Sequence, residues 1–363
     1  MVHFLTPHFG KLIQNIQPSS ERLELAETLP QQVRDYLAGN DEFVTRSPHS
    51  RLVGSYAQHL TVGDVKDVDF LVRVDGDPEV NEPTVRTVLS ELASALRDLP
   101  EHLGYSGDTY FDITRNRRSV QVKFEYEDFY LDVVPCIAPN NFGDSIFVPD
   151  WGFKKWIESH PRGVVRLIEE LDDKYNKKFR GLVKLFKHFR NNHMTYMKPK
   201  SYWLVAMAIE AVESNDIDMS EPVAAAFDQL LNHLYDKYHR TYLRTDGTVP
   251  RIKDPMLGHN VAWNWERSHF EAFMRRLEDG KGWSGRALDH YDKAEAIKLW
   301  QNVFGEEFPT NIDDHAKSHA ASRQPGSAYA TPTGLILPGA APALKSTPVQ
   351  PTRYYGGSLN GKK

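Results

Sequence analysis

The chain has 363 residues, a net charge of −5, and 40% hydrophobic and 26% charged residues. These proportions suit a soluble protein with a sizeable core, built as one large domain or two packed lobes. They argue against a surface made as a whole for polyanions. The single cysteine, Cys136, excludes an internal disulfide framework and a multi-cysteine zinc site, and it fits a reducing cytoplasm. No apolar run reaches the roughly 18 residues of a membrane span, and the N-terminus lacks the basic and apolar regions of a signal peptide.

In chain order, residues 19–38 form the first clear helical pattern. Leu25, Ala26, Leu29, Val33, Tyr36 and Leu37 recur at helical spacing, Ser19 or Ser20 can cap the start, and Gly39 can end it. Pro30 should kink it. A strand follows over 68–74 and closes in the turn Asp75-Gly76-Asp77-Pro78. Residues 83–98 predict a second helix. The stretch 119–138 predicts two strands about a tight turn at Glu127-Asp128; Val120, Val122, Phe124 and Tyr126 alternate with polar residues in the first. Beyond about 155 the pattern is mostly helical, with helices over 177–192, 201–214, 221–239 and 292–305. From about 316 the composition turns to Ala, Pro, Gly, Ser and Thr, as in a mostly disordered tail.

Chemistry concentrates around the first strand. Asp67 and Asp69 stand two apart at its start, so both project to one face. Strands are depleted in Asp. Asp132 is a lone charge inside the apolar run "FYLDVVPCI". If the two strands are neighbours, three carboxylates converge. Like charges so placed repel, and a hard divalent cation is their natural companion. Upstream, Gly54-Ser55 offers a turn whose backbone a triphosphate can approach closely. A lone Asp-x-Asp is usually a solvated loop; the Gly-Ser turn, the strand and Asp132 together favour a metal site.

This combination resembles the nucleotidyltransferases of the polymerase-β superfamily. It is most similar to the group containing oligoadenylate synthetase, cyclic GMP-AMP synthase and the bacterial CD-NTases of anti-phage (CBASS) signalling. "VGSYAQHLTVGDVKDVDFLV" carries the active-site signature, and "FYLDVVPCI" matches the strand of the third carboxylate. "FVPDWGFKKWIESHP", "RGLVKLFKHF", "KPKSYWLVAMAIEA" and "IKDPMLGHNVA" resemble later segments, so the likeness spans roughly 45–310. It implies an α+β fold: a catalytic lobe with a small mixed sheet and an N-terminal helix over 1–155, a helical nucleotide-binding lobe over 156–315, and the tail over 316–363. It implies two magnesium ions, with manganese as the alternative, on Asp67, Asp69 and Asp132. It also implies nucleotide contacts from Gly54, Ser55, Lys187 and Ser201, with Lys184 as a further candidate and Tyr202 stacking on a base. The implied substrates are nucleoside triphosphates, ATP among them. The implied product is a cyclic di- or oligonucleotide messenger that a downstream effector, not this chain, would bind.

Plainer readings stand beside these. Arg180, Lys184 and Lys187 share one helix face that could simply be wet. Tyr202 could be a core aromatic. Lys66 and Arg118 are read as surface charges, and Cys136 as buried and inert. The absence of a zinc insert and of a long basic surface helix argues against a nucleic-acid activator. Two other functions stay open: transfer of a nucleotide to RNA, protein or a small molecule, and a non-catalytic nucleotide sensor. The terminal "YYGGSLNGKK" is accessible to an operon-encoded conjugation or regulatory partner, or is a passive end.

Overall fold

The computed structural model describes residues 4–79, 83–104 and 111–312, together with three short strands near the C-terminus. The chain opens with α1 (Thr6–Asn15) and α2 (Ser20–Ala38). Ser19 caps α2 by accepting from the Arg22 N–H, as its sequence suggests, and Pro30 lies inside the helix without ending it. Strand β1 (Ser50–Val53) runs straight into the one-turn α3 (Gly54–Ala57), and β2 (Asp67–Val74) follows. Next come α4 (Val85–Arg97), capped by Thr84, and the short α5 (Leu99–His102). Five strands complete the main sheet: β3 (Phe111–Arg115), β4 (Val120–Phe124), β5 (Phe129–Ile137), β6 (Ile146–Asp150) and β7 (Lys155–Ser159).

The sheet is mixed, in the order β1-β2-β5-β4-β3, with the β6–β7 hairpin attached to the end of β5. Among the described residues its one parallel pairing joins β2 to β5. Period two sorts the side chains. Val68, Phe70 and Val72 of β2 and Leu131 and Val133 of β5 meet α2 and α4 in one core. On the opposite face Leu71 and Cys136 join a smaller cluster with Phe142 and Ile146. Asp67, Asp69 and Asp132 belong to that second face by the same parity.

The remainder is helical: α6 (Pro161–Lys174), α7 (Phe179–His193), α8 (Ser201–Glu213), α9 (Val223–Tyr242), α10 (Arg267–Asp289) and α11 (Lys293–Phe304). Their apolar faces form a separate core that also takes in α1. Phe9 of α1 is fully buried, with its ring 4.8 Å from Trp300 and 5.2 Å from Phe308. The first helix therefore packs with the last ones, which its sequence does not announce. Helix α10 also escapes the periodicity, because Gly280, Gly282 and Gly285 weaken its pattern. Gly280 has a packing reason. A Cβ there would lie 2.7 Å from Phe189 and 3.0 Å from Leu231, so α10 lies close against both.

Of the expected tail, the described parts are three strands, β8 (Ala328–Ala330), β9 (Ile336–Pro338) and β10 (Thr347–Val349), paired antiparallel around β8. The rest of that segment, including the end considered for conjugation, lies outside the described residues. Among the described residues no helix is long and apolar enough to cross a membrane. The place of α1 can be tested directly. Phe9→Ala should cost about 3–5 kcal/mol, the usual loss for a fully buried aromatic. Chemical denaturation measures it, and an unchanged midpoint would remove α1 from the core.

Candidate active site

The site begins with strand register. In the parallel β2–β5 pair, Asp69 stands opposite Asp132, and Asp67 lies one side-chain step along the same face. In the antiparallel β1–β2 pair, Val53 stands opposite Asp69. The next residue, Gly54, is therefore delivered beside the Asp69 carboxylate. Its φ is +70°, a conformation that favours glycine. A Cβ there would overlap Asp69 Oδ2 and sit 3.1 Å from Cγ. The glycine is required both by the backbone and by the carboxylate.

Neither Asp67 nor Asp69 forms an ion pair or a side-chain hydrogen bond with another residue among those described. Burial, then Asp132, then Asp67 push the Asp69 carboxyl up to about 7. Asp67 keeps exposed surface, yet surrounding protein desolvates its carboxyl; that desolvation and then Asp132 raise its pKa, against the pull of Lys187. Asp132 is anchored. Its Oδ1 accepts from Ser119 Oγ at 2.9 Å and Asn116 Nδ2 at 3.4 Å. The expected convergence is thus present as adjacency, not as a finished cage. Among the described residues no three His, Cys, Asp or Glu side chains already close around a point. Ser119 holds the Asp132 carboxylate toward the turn before β4. The donor set itself, three carboxylates with unpaired oxygens and mutual repulsion, fits a hard divalent cation.

Lys187 reaches this place from α7. It is 4% exposed, and its Nζ donates to Ser55 Oγ at 3.0 Å and to the Leu60 carbonyl at 2.6 Å. Burial and then Arg190 push its ammonium down to about 8, while Asp67 works the other way. Gly54, Ser55, Asp67, Asp69, Asp132 and Lys187 therefore form one constellation.

The other expected contacts divide. Lys184 is half-buried with no hydrogen bond or ion pair among the described residues; burial and then Arg180 lower its pKa. Arg180 does not share a free cationic face with it. Its guanidinium donates to Asp172 at 2.9 Å and to the Gln58 carbonyl at 3.2 Å, which makes it a structural tie. Ser201 stands at the start of α8, and its Oγ accepts from Arg190 at 3.2 Å. Tyr202 packs at the edge of the helical core, and its hydroxyl donates to Asp254 at 2.8 Å. Burial and Asp254 both raise that phenol's pKa. Asp254 in turn accepts from the N–H groups of Met256 and Leu257. The late Asp-Pro segment thus fixes the tip of Tyr202. Lys66 pairs with Asp128 at 2.6 Å.

Arg118 is not a bare surface charge. It and Arg117 both donate to Asp150, which is 0% exposed, at 2.7 and 2.6 Å. Burial alone would raise that carboxyl, but Arg117, the Phe153 N–H and Arg118 together hold it below the usual range. Arg117 also lies against Phe153 and Trp263, 4.7 and 5.3 Å from their ring centres. Asn116 and Ser119, which hold Asp132, and Arg190, which holds Ser201, touch expected site residues without being flagged by the sequence. Ser119 directly before an alternating strand is the only hint, and it is a faint one.

Residues 5–172 match the family described as the Second Messenger Oligonucleotide or Dinucleotide Synthetase domain. A cyclic AMP-AMP-AMP synthase of an Acinetobacter strain is 28% identical, with 96% of each chain covered. Among solved structures, Escherichia coli CdnC, in a complex with HORMA-deltaN, aligns at TM-score 0.63 and 20% identity over 84% of this chain and 98% of its own. Vibrio cholerae DncV aligns at 0.54 and 17% identity over 86% and 82%. These structures share the fold, and the family match lies on the half that carries the three aspartates. The chain is therefore similar, over the part that carries the three aspartates, to a second-messenger oligonucleotide or dinucleotide synthetase domain and, over nearly its full length, to a cyclic oligonucleotide synthase, and it shares the fold of CdnC and DncV.

Proposed function

We propose that this chain joins nucleoside triphosphates into a cyclic oligonucleotide at the Asp67–Asp69–Asp132 constellation. The observation that carries this reading is the pairing of Asp69 with Asp132 across a parallel strand pair, with Gly54 against the same carboxylate. A ribose hydroxyl of one nucleotide attacks the α-phosphorus of another. The new P–O bond forms as the bond to pyrophosphate breaks, and the hydroxyl proton leaves. Further rounds close the ring.

The residues take distinct parts. Gly54 leaves room for the triphosphate backbone, and Ser55 and Lys187 hold its tail. Ser201 donates to the same tail from the start of α8. Asp67 and Asp69 would hold two magnesium ions, with Asp132 facing the attacking hydroxyl. Bound there, such ions neutralise phosphate charge and lower the hydroxyl's pKa. Tyr202, with its hydroxyl fixed by Asp254, offers a ring for a base. ATP is the first substrate to test, since the relative covered at 96% is named for a cyclic adenylate trimer.

Mass spectrometry of products made from the four ribonucleoside triphosphates and magnesium alone should show a phosphatase-resistant cyclic product. Label found only on added RNA or protein would transfer the chain to another acceptor, and binding without turnover would make it a sensor.

Asp67→Asn and Asp69→Asn should each abolish incorporation of labelled nucleotide. Asp69→Asn should also melt about 2–4 °C higher than the natural chain in EDTA, because one of three repelling charges is gone. Magnesium should raise the melting temperature of the natural chain and narrow that gap. A variant that melts lower in EDTA would contradict the repulsion. Gly54→Ala should reduce turnover at least about 100-fold by displacing the Asp69 carboxylate, read as product per hour against the natural chain.

A further inference from the structure

Arg190 is a buried cation without a buried anion. It is 5% exposed and lies one helical turn beyond Lys187 on α7. All its hydrogen bonds go to neutral oxygens. Nη1 donates to the Pro199 carbonyl at 2.8 Å and to Ser201 Oγ at 3.2 Å. Nε and Nη2 both donate to Asn191 Oδ1, at 3.0 and 2.7 Å. Among the described residues no carboxylate pairs with it. Two other buried charges are matched, Asp172 by Arg180 and Asp150 by two arginines, whereas Lys187, like Arg190, bonds only to neutral oxygens.

A buried ion without a counter-ion costs several kcal/mol even in real proteins. Its neighbours add to the problem. Arg190 lowers the pKa of Lys187 and of Lys198, each after burial itself. A chain of net charge −5 thus gathers Lys184, Lys187, Arg190 and Lys198 close enough to act on one another. An arrangement of this kind is relieved by a ligand that brings several negative charges.

Ser201 supplies the connection. Its oxygen accepts from Arg190, so its own O–H is left to donate elsewhere. The same arginine pins the Pro199 carbonyl two residues before α8. The hydroxyl and the first turn of α8 are therefore set by one guanidinium fork.

We propose that Arg190 is a positioning residue of the triphosphate site, which turns the Ser201 hydroxyl into a donor and keeps a fixed positive charge behind Lys187. It rests on the nucleotidyltransferase reading above. It predicts selectivity for the polyphosphate tail over the nucleoside part of the ligand.

The test is calorimetric binding of a nonhydrolysable ATP analogue and of AMP to the full chain, with melting curves for each variant. Arg190→Gln should weaken the analogue about ten-fold or more, the size of a lost charge-assisted contact, and change AMP less than about two-fold, within ordinary coupling. Arg190→Lys should recover part of the loss. Ser201→Ala should cost less in the Arg190→Gln background than alone. Equal weakening of analogue and AMP, or a lower melting temperature with both affinities intact, would make Arg190 a loop anchor and overturn the proposal. If Arg190→Gln does not fold, Arg190→Lys decides, because it keeps the charge and breaks the fork; it must weaken the analogue more than AMP. Lys187→Gln separates the two ideas. If it leaves analogue binding unchanged, the site reading fails; if it weakens binding while Arg190→Gln does not, only the role of Arg190 fails.

Discussion

Everything in this site follows from one parallel strand pair. Two aspartates stand directly opposite each other where a sheet would normally place apolar or oppositely charged partners. Like charges so placed repel, and after burial Asp132 is the next cause that raises the Asp69 carboxyl. The fold tolerates the pairing because the other face of the same strands is a dense core of Val68, Phe70, Val72, Leu131 and Val133. Slipping the register by one residue would turn the carboxylates into that core and the core residues outward. The apolar face thus fixes the charged face.

Opposite the carboxylates the structure keeps its cations dry. Lys187 is buried and joined to the turn after β1 through Ser55 and Leu60, so one side chain spans from the helical core to the sheet. Arg190 stands behind it. Charges held in a low-dielectric wall act on a ligand more strongly than the same charges in water. A chain with an acidic total can in this way carry a locally cationic wall. The net charge describes solubility, while burial and placement describe the local field around Lys187 and Arg190.

How much of this was legible in the sequence depends on whether the signal was local. Asp67, Asp69 and Asp132 interrupt strand patterns, and Gly54-Ser55 is a compact turn, so all five stood out. The helices 179–193 and 201–213 carry plain apolar periodicity and were legible too. Helix α1 was not, because its partners Trp300 and Phe308 lie at the other end of the chain. Helix α10 was hidden by glycines whose purpose appears only beside Phe189 and Leu231. Arg180 shared a helix face with Lys187 in sequence, yet Asp172 claims it in space. Ser119 and Arg190 look like ordinary polar residues until Asp132 and Ser201 arrive from other elements.

The four-residue turn between β3 and β4 has a consequence for how this sequence can vary. Its outer members, Asn116 and Ser119, hold the Asp132 carboxylate, and its inner members, Arg117 and Arg118, hold the buried Asp150. Hairpin loops are ordinarily where proteins accept insertions and deletions most easily. Here a single added or removed residue would put the wrong side chains on both aspartates at once. This connection should therefore keep its length among descendants of the chain even where its neighbours in the sheet drift.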